Sequence, residues 1–467
     1  MFRVPLILCF LFFGSGVFSQ VPGESILNFE EYLKGVESRN PLAALADIKV
    51  ERTRFQKMEA RGEFDPVLKG HHLQKRFNGF NYFSLTEVNL DVPTPLGIDF
   101  KAGFDFNRGV YLSEENFLPP NGLLVAGLRV PLARNILTDP RRLSLSLAEL
   151  YQEMNEAERR ILNVALVSDA LKAYGLWAGA FMKQTAMELA GKVAYERLQI
   201  TRERFLKGES SAIDTLEVYS QYKNRMADLF SARAAYQNAL TEVRFYFQNP
   251  GDNPNNAFSF LPDTVFIISI PDWNSKIPSG DFSTETVLGH PDWIMGNLKV
   301  EMLKRENKLR KDRLKPEIYA NYNFITEPII AGSPVWSLDN YKFGVDLNYP
   351  LFVRKERAKL GLNRLQIKEA QLELDVKQSS LQLKLIAARY ELQALAARTA
   401  ELKQVFEANR VLFWAETEKF RAGESTLFLL NQRELAYLES RIKWVNALED
   451  YISRFADFNY LAGSRLF

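Results

Sequence analysis

The chain has 467 residues, a formal charge of +2, 46% apolar and 25% charged side chains, enough to build a large core and too apolar for a disordered chain. Its charges are interspersed with no basic block, which argues against nucleic acid as a partner. A single cysteine and three histidines exclude a disulfide framework and a thiolate metal site.

At the start, Arg3, the apolar run Val4 to Phe13 and the small residues up to Ser19 read as a secretory leader over 1–19, cut before Gln20. Cys9 lies inside it. Leu8 precedes that cysteine, where a lipoprotein signal needs a small residue. No later stretch reaches the 18 or more consecutive apolar residues of a spanning helix.

Residues 28–62 are charged and amphipathic, with no proline after Pro41 near their start, and predict helix. Strands are expected over about 66–132. Ile98, Phe100, Ala102, Phe104 and Phe106 alternate with polar residues, as do Leu124, Ala126, Leu128 and Val130. Alternation of this kind fits a membrane-barrel strand or a soluble sandwich strand with one wet face. His71 and His72 are neighbours on a strand, so they point to opposite faces and cannot chelate together.

Arg141 to Asn249 holds no proline. The segment predicts a helical hairpin over 141–248, folded at Phe205-Leu-Lys-Gly208-Glu209-Ser210-Ser211. Its first arm, Leu143 to Leu206, runs to roughly 95 Å at 1.5 Å per residue, longer than a compact domain needs. Gly175, Gly179 and Gly191 read as close-packing points. An irregular linker follows over 249–282, with one short strand expected from Thr264 to Ile270.

The second half repeats the first: helix over 283–313, strands over about 316–351, hairpin over 354–463 with its turn at Phe420-Arg-Ala-Gly423-Glu424-Ser425-Thr426. Tyr341, Phe343, Val345, Leu347, Tyr349 and Leu351 form one apolar strand face. The landmarks keep order. Pro41 and Pro291 are 250 apart, as are Pro66 and Pro316, whereas Pro131 and Pro350 are 219 apart and Gly208 and Gly423 are 215 apart. The first half, 20–248, therefore carries about 31 extra residues within its strand region relative to the second, 283–467. Additional alternating sequence between Phe83 and Asn107 marks either an extra hairpin or an enlarged loop.

A leader, two matched halves with strands, and two long hairpins resemble the TolC-like outer-membrane efflux proteins. The residues that carry the likeness are Phe205 to Gly208 with Asp214 beyond it, Phe420 to Gly423 with Leu430 to Leu435, and Tyr341 to Phe352. The resemblance implies an α+β fold. In it, helical hairpins form a trimeric periplasmic tube and four strands per protomer join a shared 12-stranded barrel in the outer membrane of a Gram-negative bacterium. It also implies a homotrimer touching outer-membrane lipid, a periplasmic adaptor and an inner-membrane pump of RND or ABC type. The function expected is a passive duct for efflux or type I secretion. A periplasmic adaptor is the alternative, although adaptors normally carry one hairpin in a small β-rich domain.

Gly208 and Gly423 are expected to end their helices in the left-handed conformation, displaying Glu209, Ser210, Glu424 and Ser425 at the tips. These either touch the partner's hairpin or are solvated turn residues. Asp214 either caps the returning helix with Ser211 or contributes to a carboxylate ring at a trimer's constriction. Family members shut that mouth with a tyrosine, an arginine and acidic residues. Here Phe420 lacks the hydroxyl and Leu429 stands where an aspartate is expected, so Asp214, Phe420 and Leu429 are aperture candidates with contacts of their own. Phosphate loops, His-Glu-x-x-His and Gly-x-Ser-x-Gly are absent. Neither enzyme activity nor a cofactor is expected.

Overall fold

The computed structural model describes residues 25–247, 260–269, 287–328 and 336–463. The expected leader and most of the expected linker lie outside these residues. In chain order the elements are β1 (Ser25–Leu27), α1 (Phe29–Arg39), α2 (Pro41–Gly62), β2 (Val67–Phe77), β3 (Phe80–Val92), β4 (Asp99–Arg108), a 3-10 turn (Glu114–Asn116), β5 (Leu123–Pro131), α3 (Pro140–Leu206), α4 (Ala212–Phe247), β6 (Phe260–Pro262), α5 (Thr264–Ser269), α6 (Pro291–Asp312), β7 (Glu317–Thr326), β8 (Tyr341–Asn348), α7 (Arg354–Arg421) and α8 (Leu427–Ala462). The two hairpins match in length, with 67 and 36 residues in α3 and α4 against 68 and 36 in α7 and α8. Proline enters α3 only at its first residue, where the missing N–H costs nothing.

The chain forms two compact units. The first joins the described residues of Met1–Asn40, Asp169–Lys276 and Leu392–Ala456. Its core is aromatic. Tyr32, Tyr174, Trp177, Tyr451 and Phe455 are fully buried, and Phe29 stacks on Phe266 at 4.5 Å. The Tyr174 hydroxyl donates to the Leu27 carbonyl at 2.6 Å and accepts from the Asp263 N–H at 2.9 Å. It thus ties together the two strands of the parallel β1–β6 pair. A second cluster, Phe406, Phe413, Tyr437 and Trp444, packs α7 on α8, with Phe413 and Tyr437 stacked at 5.2 Å.

The Thr264–Ile270 segment corrects the sequence reading: its described part is the helix α5, not a strand. Asp263 decides this, since its carboxylate accepts the N–H groups of Val265 and Phe266 at 3.0 and 3.2 Å. A cap of that kind outweighs the β-propensity of a short Val/Ile run.

The second unit joins Pro41–Ser168, Ile277–Glu391 and Asp457–Phe467. It carries six antiparallel strands in one sheet, in the order β2-β3-β4-β5-β7-β8, together with α2, α6 and the adjoining parts of α3 and α7. Of the two readings left open for the sequence between Phe83 and Asn107 the extra hairpin is the one found: β3 and β4 bring this sheet to six strands, against the four per protomer that the resemblance implies. Asn78 and Gly79, with φ of 49° and 80°, make the tight β2–β3 turn that only left-handed residues allow.

The ladder register sorts the side chains into two faces. One holds Phe100, Phe104, Leu124, Leu128, Tyr322, Val345 and their same-face neighbours, with Phe343 and Leu347 58% and 68% exposed. The other is charged and internally bonded. Lys69 pairs with Asp91 at 2.6 Å and Arg141 with Asp99 at 3.0 Å, Asn321 donates to Asp346 at 2.7 Å, and the Arg129 guanidinium lies 3.9 Å over Tyr319. His71 and His72 sit on opposite faces, and His72 bonds Thr86 at 2.8 Å.

Buried amides fasten the helices below. Asn155 donates to Thr53 at 2.8 Å and Asn307 to Asn363 at 2.7 Å. His290 caps α6, its Nδ1 accepting from the Asp292 N–H at 3.1 Å. Burial holds this imidazole below its ordinary pKa, which keeps Nδ1 free to accept.

Of the three glycines in α3, two are close-packing points. A Cβ at Gly175 would lie 2.7 Å from Ile452, and one at Gly179 would collide with the Glu449 carboxylate. Gly191 is not, since its nearest neighbour, Met226, stands at 3.7 Å. Alanine at Gly191 is therefore expected to raise the melting temperature through about 1 kcal/mol of helix propensity. Gly175→Ala is expected to lower it through about 1–3 kcal/mol of overpacking. Circular dichroism melts of the two variants check the opposite signs.

Candidate functional site

Both hairpin turns are built by the same backbone device. The Gly208 N–H bonds the Phe205 carbonyl at 3.0 Å and the Glu209 N–H the Arg204 carbonyl at 2.9 Å; Gly423 and Glu424 repeat this onto Phe420 and Lys419 at 3.1 and 2.9 Å. With φ of 78° and 80° at the two glycines, each is a Schellman cap whose left-handed residue favours glycine. Glu209 and Glu424 are exposed at the turns, and Ser210 and Ser425 are half-buried beside them.

The returning helices start differently. At the first turn Ser211 and Asp214 form a reciprocal capping box: the Ser211 N–H donates to the Asp214 carboxylate at 2.9 Å and the Asp214 N–H to the Ser211 hydroxyl at 3.1 Å. The Ser211 backbone N–H, helped by its hydroxyl, holds the Asp214 carboxyl below the usual range. The box is therefore complete above that range and is lost as pH falls through the lowered value. At the second turn Thr426 Oγ1 accepts the Leu429 N–H at 3.3 Å, and leucine returns no bond. Here Ser425 instead donates its hydroxyl to the buried Glu416 carboxylate.

The structure brings the two tips of one chain together. Phe420 is half-buried, packs against the cluster of Phe413 and Tyr437, and has the Arg204 guanidinium of the other hairpin 5.6 Å from its ring. Asp214 and Leu429 are at the surface, Leu429 39% exposed. Leu206, Ile213, Leu216 and Phe428 stand out in water around the turns at 67–83% exposure, a larger apolar surface than a free tip needs.

Sequence reasoning missed a buried ion pair between the hairpins. Glu434 of α8 is buried and accepts from Arg197 of α3 at 2.5 Å and from Arg225 of α4 at 3.2 Å, while Arg197 also donates to Asn431 at 2.7 Å. Side-chain exposures of 7% for Arg197 and 5% for Glu434 mean that each charge depends on the others for the solvation it has lost. A sequence signal existed: Arg197 lies 11 residues before Gly208 and Glu434 lies 11 after Gly423, so the two stand at matching depths on their hairpins.

Among the described residues no group of three or more His, Cys, Asp or Glu could hold a metal ion, and no helix is long and apolar enough to cross a membrane. No protein-family model matches the chain, and no curated protein matches it. Solved structures do. The Campylobacter jejuni CmeC outer-membrane channel superposes with a TM-score of 0.67 at 13% identity, covering 94% of this chain and 86% of that one. The open state of the Neisseria gonorrhoeae MtrE outer-membrane channel gives 0.67 at 16% identity over 94% and 89%. The outer-membrane protein VceC of Vibrio cholerae gives 0.64 at 12% identity over 94% and 96%. At these identities the likeness is one of fold: the chain has the α+β fold of these outer-membrane channels.

Truncating Glu434 leaves the buried Arg197 guanidinium with only the Asn431 amide oxygen and the half-buried Arg225 with only Asp228. Glu434→Ala is expected to cost about 3–5 kcal/mol and Glu434→Gln clearly less, since the amide oxygen still accepts one bond. Chemical denaturation followed by tryptophan fluorescence, with Trp444 in the adjoining cluster, reads the difference.

Proposed function

We propose that the protein is a passive outer-membrane duct of a tripartite efflux or type I secretion system. The observation that carries this is the sheet of the second unit, apolar on one face and charged on the other, attached to paired helices of 67 and 68 residues. A sheet of that polarity suits a barrel wall between lipid and water. Six strands with two open edges cannot meet the backbone demands of a bilayer alone, so copies must associate.

The helices of the second unit supply matching surfaces for a homotrimer. Leu42, Leu45, Ile48 and Phe55 of α2 and Leu365, Leu372, Val376, Leu383 and Tyr390 of α7 are all exposed. Those of α7 follow one another at intervals of 7, 4, 7 and 7 residues, the spacing of a coiled-coil seam, and stand exposed among the described residues. In the trimer the leader over 1–19 directs export, the halves 20–248 and 283–467 each give one hairpin, and 249–282 joins them. Gly208, Glu209, Ser210, Gly423, Glu424 and Ser425, with the apolar residues around them, meet a periplasmic adaptor that links the duct to an inner-membrane pump of RND or ABC type. Asp214, Phe420 and Leu429 border the mouth.

Envelope fractionation with amine cross-linking is expected to place the full chain in the outer membrane as a trimer. A soluble monomer contradicts the duct. In planar bilayers Asp214→Ala is expected to raise the conductance of the closed state, and no change removes Asp214 from the mouth. Charge reversal at both Glu209 and Glu424 that leaves assembly and efflux intact contradicts adaptor contact at the tips.

A further inference from the structure

We infer that the chain builds a barrel wall of six strands per copy, closed by pairing of β8 of one copy with β2 of the next, so that a trimer has eighteen strands. The inference rests on the homotrimer reading above and adds the edges that meet and the strands that close.

The extra hairpin lies in the middle of the wall. By the proline landmarks β2 corresponds to β7 and β5 to β8, and β7 pairs directly with β8. In the first half β3 and β4 are inserted between β2 and β5, with nine residue pairs joining β3 to β4 and seven joining β4 to β5. Neither can leave the sheet without detaching β2 from it. Two added strands also preserve direction. In a fully antiparallel sheet of six the edge strands β2 and β8 run oppositely, so the β2 edge of one copy continues the ladder of the β8 edge of another. An odd number would force a parallel seam.

The edges are complementary when the faces are kept in register. Val67 of β2 and Asn348 of β8 both lie at the helix-side ends of their strands. Counting from there sets Lys69 level with Asp346 on the charged face and Leu68 level with Leu347 on the apolar face. The apolar band runs through Phe100, Leu90 and Val88 to Leu68. On β2 it ends at Leu68, since Gly70, His72 and Gln74 follow on that face; His72 is bonded to Thr86 and Gln74 to Asn81, which lowers the cost of these polar groups on the outside of the barrel. Among the described strands β2 and β8 have no second partner, and an open edge has no place in lipid. Eighteen strands fall within the range of known barrels. Because diameter grows roughly linearly with strand number, the lumen is about half as wide again as that of a twelve-stranded barrel.

Three routes to closure are separated by cysteine pairs in the full-length mature chain, whose native sequence offers no thiol beyond Cys9 in the leader. Lys69→Cys with Asp346→Cys, treated with a short bismaleimide in outer membranes, is expected to convert most of the protein to a covalent species of three chains. Lys101→Cys with Asp346→Cys is expected to give no cross-link between chains, because β2 and β3 stand between. If the second pair links chains and the first does not, β2 and β3 are outside the wall and the barrel has twelve strands, which overturns the inference while the trimer stands. A cross-link of the first pair within one chain means that each sheet closes on itself, which overturns the inference. If neither pair reacts across chains while Leu45→Cys with Leu372→Cys links three copies through the helices, the trimer holds and the proposed edge pairing fails.

Discussion

A sheet that is apolar on one face, charged on the other and open at both edges is not stable as it stands in either solvent of a cell envelope. In water it exposes Phe343, Val345 and Leu347; in lipid its edge N–H and C=O groups have nowhere to go, each at a cost of several kcal/mol. The remaining architecture follows from this requirement for closure. In the proposed duct, strands are even in number within each copy, copies associate, and the helices joined to the sheet hold them in register while the edges meet. The exposed seam of α7 is suited to that task, because its 3.5-residue repeat fixes how one helix lies on another before a single strand pairs.

The hairpins meet a different demand, to be long and yet defined at the far end. Length comes from the absence of proline and from small residues such as Gly175 and Gly179, which let α3 approach α8. Definition comes from the tips. Identical Schellman caps turn the chain, but the contacts that follow differ, a closed capping box at Asp214 and a buried Ser425–Glu416 bond at the second turn. Deeper in, Glu434 gathers Arg197 and Arg225 from the other hairpin. Buried charge of this kind adds little net stability and much specificity, since any displacement of α8 against α3 and α4 strips a charge of its partner. In the proposed trimer the mouth is thus held by contacts inside each copy as well as between copies.

Much of this was legible in the sequence, and the reasons are particular. The hairpins were visible as proline-free spans punctuated by Gly208 and Gly423. Strands β4, β5 and β8 were visible because one wet face leaves a period of two. The extra hairpin showed as a change of offset from 250 to 219 residues between paired prolines, but whether it was wall or loop depended on pairing partners that no local pattern encodes. Thr264 to Ile270 was misread because a β-branched run was weighed without the Asp263 cap before it. Gly191 was grouped with Gly175 and Gly179, although it faces the thinner packing beside Met226. The Arg197–Glu434 contact joins residues 237 apart in the chain, and on a charged helix a buried Glu cannot be told from a solvated one until the opposing helix is in place.

The central claim is that the two faces of the six-stranded sheet meet different solvents. Spin labels placed one at a time from Lys342 to Leu347 in the purified protein reconstituted in lipid test it directly. Collisions with lipid-soluble oxygen are expected at 343, 345 and 347 and collisions with a water-soluble nickel chelate at 342, 344 and 346, alternating with a period of two. Equal access of the nickel chelate to both sets would mean that the sheet stands in water, and the barrel would be ruled out.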